Sequence, residues 1–120
     1  MKLIVAKFGG TSVGTIERIN SVARRIKNEV NNGYSVIVVV SAMAGETNRL
    51  IKLVESLTNN HRISEYDTVI STGEQVTSGL LAIALNELKI KSKSYQGWQI
   101  PFETDNNFGK ANIKTIKKNK

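Results

Sequence analysis

Leu3-Ile4-Val5-Ala6-Lys7-Phe8-Gly9-Gly10-Thr11-Ser12-Val13 is an apolar run that closes on a lysine, an aromatic ring and two glycines. A run of this kind predicts a buried strand opening into a tight loop. Glycine has no Cβ, so its backbone reaches φ > 0 and approaches a ligand closely. Successive N–H groups in such a turn converge on an anion, and Lys7 adds a positive charge at the strand end. A periodic apolar segment follows, so the loop is expected to feed a helix N-terminus, where unpaired N–H groups and the helix dipole also favour negative charge. Together these parts suit a phosphate cradle. The spacing matches neither G-x-x-x-x-G-K-[ST] nor G-x-G-x-x-G, and from the residues alone a plain Gly-Gly turn beside a surface lysine is an equal reading.

Working outward, Ile16, Ile19, Val22, Ala23, Ile26 and Val30 fall three or four apart and predict one apolar stripe on a helix from Thr15 to Asn32. Asn31-Asn32-Gly33 supplies its C-cap and turn. Val36-Ile37-Val38-Val39-Val40 is a continuous β-branched run, suited to a central parallel strand covered on both faces. Strand, helix, strand is a βαβ unit. A second small-residue loop, Ser41 to Asn48, then precedes a helix carrying Leu50, Ile51, Val54 and Leu57. In doubly wound sheets ligands bind beyond the carboxyl ends of the strands, so the two loops are expected to face one site. A mainly helical region from Tyr66 to Leu88 follows, with a bend near Gly73. A short strand is expected from Ser92 to Gly97, a turn over Thr104 to Gly109, and a strand or helix start from Ala111 to Ile116.

Composition narrows the classes. The 120 residues suffice for one modest domain, with 40% hydrophobic and 22% charged residues as in ordinary soluble chains. No apolar run approaches the roughly 20 residues that span a bilayer, and no secretory leader is evident, so no membrane partner is expected. The absence of cysteine removes disulfides and thiolate metal sites, which agrees with a cytoplasmic location. A single His61 excludes a multi-histidine metal centre, and no metal site is assigned to the chain's own residues. The net charge of +7 is mostly terminal: Lys110 to Lys120 holds five lysines and no acid, leaving 12 basic against 10 acidic residues, or +2, elsewhere. Such a run reads as a solvated tail. Aromatics are not interleaved with it, so no nucleic-acid partner is expected.

Four separated blocks then carry a resemblance. Lys7 to Val13 is similar to the opening signature of the aspartate kinases (aspartokinases) within the amino-acid kinase family. Ser41-Ala42-Met43-Ala44-Gly45-Glu46-Thr47-Asn48-Arg49-Leu50 resembles their Ser-Ala-Met-Ser-Gly-Val-Thr-Asn-x-Leu block, departing at Ala44 and Glu46. Ser71-Thr72-Gly73-Glu74-Gln75 resembles their Ser-x-Gly-Glu segment. Gly97-Trp98-Gln99 with Thr104 to Ala111 forms the fourth. The resemblance implies an α/β fold, the N-terminal portion of an α/β/α sandwich with a mainly parallel sheet. It also implies transfer of the γ-phosphoryl group of ATP, with Mg2+, to the side-chain carboxylate of L-aspartate. The product, 4-phospho-L-aspartate, enters lysine, threonine and methionine synthesis. On this resemblance Lys7, Phe8, Gly9 and Gly10 contact the phosphates, Lys7 as the catalytic cation, while Ser41, Thr47 and Glu74 hold the amino acid.

Each residue also has a simpler reading. Thr47 suits the N-cap of a helix from Asn48 to Leu57, Glu74 a favourable acid in a first helical turn, and Ser41 a strand-end hydroxyl bonding local backbone. Trp98 suits core or interface, His61 a polar loop, and Thr104-Asp105 turn chemistry. Length is the main departure from the family. Residues 1–120 are read as a partial kinase domain ending in a basic tail over 110–120, without the family's Gly-Arg-Gly-Gly-Ser-Asp block, nucleoside pocket or regulatory ACT domains. The chain alone is therefore expected to be a poor kinase or a non-catalytic binding subunit. A homo-oligomer or a complementing C-terminal kinase fragment is its expected partner, and exposed apolar sheet and helix surface is expected where that part would pack. Lys7 and Glu74 are expected to converge on one hollow.

Overall fold

The computed structural model describes residues 2–100 and 102–116. The opening apolar run is strand β1 (Lys2–Phe8) and the β-branched run is strand β2 (Tyr34–Val40). They pair in parallel from Lys2 opposite Tyr34 to Phe8 opposite Val40. Between them lies helix α1 (Ile16–Asn31), whose first turn is capped by Thr15: its Oγ1 accepts the Arg18 N–H at 3.2 Å. The helix stops at Asn32, and Gly33 turns the chain at φ +93°, a conformation that glycine adopts without a Cβ penalty.

The apolar stripe of α1 buries Ile19, Val22, Ala23 and Ile26. Helix α2 (Glu46–Glu55), helix α3 (Ser64–Ile70) and helix α4 (Thr72–Glu87) follow, α3 and α4 separated by a bend at Ser71. Leu81 and Leu85 of α4 join the α1 stripe and Val13 in one core, against which Phe8, Val36, Val38 and Val40 of the sheet pack. One sheet face is thereby covered by α1 and α4. Helices α2 and α3 pack on each other and on α4.

The other face is bare among the described residues. Alternation along the strands sends Leu3, Val5 and Lys7 of β1, and Ile37 and Val39 of β2, away from the helices. These four apolar side chains are 61%, 64%, 51% and 47% exposed. The expectation that β2 is covered on both faces therefore fails for the described residues. Its five β-branched residues carry no alternation that would distinguish the covered face from the bare one.

Two further differences concern the second half. Ser92 to Gly97 is not a strand but an extended connection ending in a short 3₁₀ turn at Gly97–Gln99. Asn86 replaces a strand neighbour there, accepting the Ser92 N–H at 2.8 Å and donating to its carbonyl at 3.3 Å. The expected basic tail begins as structure: strand β4 (Ile113–Ile116) contains Lys114 and pairs antiparallel with strand β3 (Phe102–Thr104). Lys110 lies in the turn before it, and the other three lysines, at 117, 118 and 120, lie outside the described residues. The expected turn is present between the two strands, where Asp105 accepts the N–H groups of Asn107 (3.1 Å) and Asn112 (3.2 Å). These bonds, that of Asn107 foremost, hold its carboxyl below the usual carboxylate range. Asp67 of α3 accepts the Gly109 N–H at 3.0 Å and ties the hairpin to the helices. No helix among the described residues is long and apolar enough to cross a membrane.

Candidate active site at the strand ends

Both strands end at the same level, and their loops are joined there: the Ser41 N–H donates to the Phe8 carbonyl at 3.1 Å, continuing the ladder one step beyond β2. The first loop, Gly9 to Thr15, folds on itself through Ser12 N–H to the Gly9 carbonyl (3.0 Å) and Gly14 N–H to the Thr11 carbonyl (3.3 Å). The second loop lies directly against it. A Cβ on Gly10 would stand 3.0 Å from the Ala42 carbonyl oxygen, and one on Gly14 would stand 3.0 Å from the Ala44 Cβ. Ala42 also meets the start of α4, where a Cβ on Gly73 would come within 2.9 Å of the Ala42 Cβ and 3.5 Å of Leu50 Cδ1. Ala42 is buried at this junction. Three segments, after β1, after β2 and at the start of α4, thus meet at one small residue.

This packing gives Gly10 a structural reason beside the ligand approach expected of the glycine pair. Neither Gly9 nor Gly10 has positive φ. A Cβ on Gly10 would crowd the Ala42 carbonyl, whereas nothing lies within 4 Å of a Cβ on Gly9. The left-handed glycine of the region is Gly45, at φ +78°, which occupies the N-cap position of α2. Thr47 lies inside the first turn of that helix, so the N-cap reading for it is overturned.

The remaining site residues come to this edge from different elements. Phe8 packs its ring against the core, so what it presents to the loop is backbone. Ser41 is half-buried at the end of β2, and Glu74 is exposed in the first turn of α4. Lys7 is exposed and leaves β1 from the bare face, opposite the face on which α4 packs. Lys7 and Glu74 therefore do not share a sheet face. Their elements approach each other only beyond the strand ends, through Gly10, Ala42 and Gly73, which is where a ligand spanning the two would have to lie.

Two features went unread in the sequence. Glu46, at the departure from the family block, accepts both Arg49 Nε contacts, at 3.0 and 3.1 Å. These hydrogen bonds hold the Glu46 carboxyl below its ordinary value and raise the Arg49 guanidinium above its own. Spacing i, i+3 on a helix was the available sign. The second is Thr77, fully buried one turn below Gly73, whose hydroxyl donates to the Gly73 carbonyl at 3.2 Å. No group of three or more His, Cys, Asp or Glu side chains gathers among the described residues.

Comparison with known proteins gives a consistent result. The model of the amino acid kinase family matches residues 2–120. The aspartokinase of Rickettsia felis is 52% identical over 119 residues, which are 97% of this chain and 30% of that protein. The aspartate kinase of Pseudomonas putida is 49% identical over 116 residues, 97% of this chain and 28% of that one. Among solved structures, the aspartate kinase from Synechocystis superposes with a TM-score of 0.70 at 50% identity, covering 73% of this chain and 15% of that chain. The chain thus spans about 30% of the length of the relatives it matches.

Proposed function

Since the chain belongs to the amino acid kinase family and matches the N-terminal part of aspartokinases, we propose that it forms the phosphate and amino-acid edge of an aspartate kinase site. The reaction is transfer of the ATP γ-phosphoryl group to the side-chain carboxylate of L-aspartate. A carboxylate oxygen bonds to the γ-phosphorus, the bond from that phosphorus to the bridging oxygen breaks, and ADP leaves with the electron pair. Phosphoryl transfer asks the protein for placement and charge stabilisation more than for covalent chemistry. Lys7 supplies the positive charge, while backbone at Phe8, Gly9 and Gly10 lines the phosphates. Ser41 and Thr47 offer hydroxyls to the amino acid, and Glu74 pairs with its α-ammonium.

The observation that supports this reading is the packing of Gly10 against the Ala42 carbonyl and of Gly73 against the Ala42 Cβ, which brings the glycine loop and the glutamate-bearing helix start to one residue. Mg2+ would arrive with the nucleotide and neutralise phosphate charge. The chain is a partial kinase domain over 1–120, and orientation of the nucleotide, worth roughly 7 to 11 kcal/mol of such a barrier, falls to the remainder of the domain. A chain that binds without turning over is the second reading, favoured by its span of 30% of its relatives.

Equilibrium binding of ATP and of L-aspartate to the chain and two variants tests the assignment. Lys7→Ala should weaken ATP by about tenfold, the equivalent of roughly 1.4 kcal/mol, and leave aspartate unchanged. Glu74→Gln should do the reverse. ATP affinity unmoved by Lys7→Ala would overturn the phosphate role. Turnover by the chain alone at the roughly 1 to 100 per second of ordinary kinases would overturn the partial-site reading.

A further inference from the structure

Helices α2 and α4 carry Thr47 and Glu74, the hydroxyl and the carboxylate assigned to the amino acid, and the two helices meet beside those residues. The buried side of α2 holds Leu50 and Val54, and Glu46 precedes Leu50 by one turn on that side. Outside its own helix, the three atoms nearest to a Cβ on Gly73 are Ala42 Cβ at 2.9 Å, Leu50 Cδ1 at 3.5 Å and Glu46 Cγ at 3.9 Å. The methylenes of Glu46 thus continue the packing side of α2 up to the residue before Glu74. A carboxylate at the head of an apolar side is costly unless its charge is turned outward and paired. Arg49 does this. Its Nε donates to both Glu46 oxygens, at 3.1 and 3.0 Å, and its Nη2 donates to Oε1. The Glu46 side chain is 33% exposed against 59% for Arg49, so the pair runs from the seam out to solvent.

An exposed ion pair adds little to stability by itself, and it is the location of this one that has consequences. Gly45, at the N-cap of α2, has no side chain to bond the N–H groups of the first turn. That turn is held by backbone bonds at its two ends, Glu46 N–H to the Met43 carbonyl and Arg49 N–H to the Gly45 carbonyl, each 3.0 Å. The Glu46–Arg49 bridge spans the same turn, with Thr47 inside it. Resting on the kinase reading above, we infer that Glu46, gripped by Arg49, is a positioning residue: it fixes the distance between Thr47 and Glu74, and so the choice of an α-amino acid over a plain dicarboxylate. A ligand held at two points is sensitive to their spacing. Succinate, which is L-aspartate without the α-ammonium group, has nothing to offer Glu74 and is indifferent to it.

Binding of L-aspartate, succinate and ATP to the full chain, with amide exchange followed by NMR, tests this. The wild-type chain should prefer L-aspartate to succinate. Glu46→Ala and Arg49→Met should each cut that preference by about fivefold and leave ATP affinity unchanged. In both variants the amides of residues 49 and 50 should exchange about twofold faster, as expected for loss of one pair on a helix. Glu46→Gln keeps the methylenes and one acceptor for Arg49, and should recover most of the preference. Arg24→Met removes the i, i+3 contact of Arg24 with Ser21 on α1, at 3.1 Å, and should leave the preference unchanged. Preference retained in Glu46→Ala and Arg49→Met, not recovered in Glu46→Gln, or lost equally in Arg24→Met would each overturn the inference. The two readings fail differently. A wild-type chain that binds no L-aspartate, with exchange still faster in both variants, removes the amino-acid reading and leaves the clamp. A wild-type preference for L-aspartate, with preference and exchange both unmoved by the variants, does the opposite.

Discussion

The two faces of the β1–β2 sheet are built from the same two strands and nearly the same residue types, yet one is core and the other is open. On the covered face Phe8, Val36, Val38 and Val40 meet the stripe of α1 and Leu81 and Leu85 of α4. On the open face Leu3, Val5, Ile37 and Val39 meet nothing comparable among the described residues. Hydrophobicity alone therefore does not make a core. What distinguishes the faces is the hand of a single crossover, which sends α1 to one side, and the return of α4 to the same side.

Large-to-small substitution breaks this comparison most directly. Leu81→Ala removes buried methyl groups from the covered side and should cost about 2–5 kcal/mol in urea unfolding. Val5→Ala on the open face should stay within about 0.5 kcal/mol for the chain by itself. A cost for Val5→Ala near that of Leu81→Ala would mean that the two faces are equally packed. The junction beyond the strand ends gives a smaller contrast. Gly73→Ala pushes a methyl group into Ala42 at 2.9 Å and should cost about 1–3 kcal/mol. Most of that loss should return in the double variant with Ala42→Gly. Gly9→Ala points into open space and should be close to neutral for stability, within about 0.5 kcal/mol. Equal losses at Gly9 and Gly73 would remove the claim that the three segments meet at Ala42.

Much of this was legible beforehand, and the rest was hidden for identifiable reasons. The α1 stripe and the β1–α1–β2 unit follow from period, because local periodicity reports which side of an element is apolar, whereas the bend expected near Gly73 falls at Ser71 and Gly73 lies inside α4. The bare face did not show, since Val36 to Val40 is apolar on both sides and its covering depends on where α4 returns, a long-range matter. The strand expected at Ser92 to Gly97 was lost to Asn86, a side chain six residues upstream that satisfies Ser92 in place of a neighbouring strand. In the site, Lys7, Gly10 and Gly73 stand in a matching string, but the string does not show the close approach of Gly10 to the Ala42 carbonyl, which becomes visible only when two loops distant in sequence are in contact.

The smallest effect separates both faces from the polar ends of the molecule. Glu46 and Asp105 are the two carboxylates whose environments clearly favour the charged form, Glu46 through the hydrogen bonds of Arg49 and Asp105 chiefly through the Asn107 N–H. A carboxyl whose pKa is lower folded than unfolded stabilises the fold above its unfolded value and loses that contribution as pH falls through the folded value. The reference values are 4.5 for Glu46 and 3.8 for Asp105, so stability should be flat with respect to these groups near neutrality and decline below about pH 4.5, Glu46 first. Because both lie at the surface, solvent screening keeps each contribution small. Glu46→Gln should flatten the upper part of the acid decline and Asp105→Asn the lower part, read as urea midpoints between neutral pH and acid. The differences caused by Leu81→Ala and Val5→Ala should not change over the same range, since neither sheet face contains a carboxylate. Acid sensitivity that followed Leu81→Ala, and persisted unchanged in Glu46→Gln and Asp105→Asn, would place the titrating groups in the core and contradict this division.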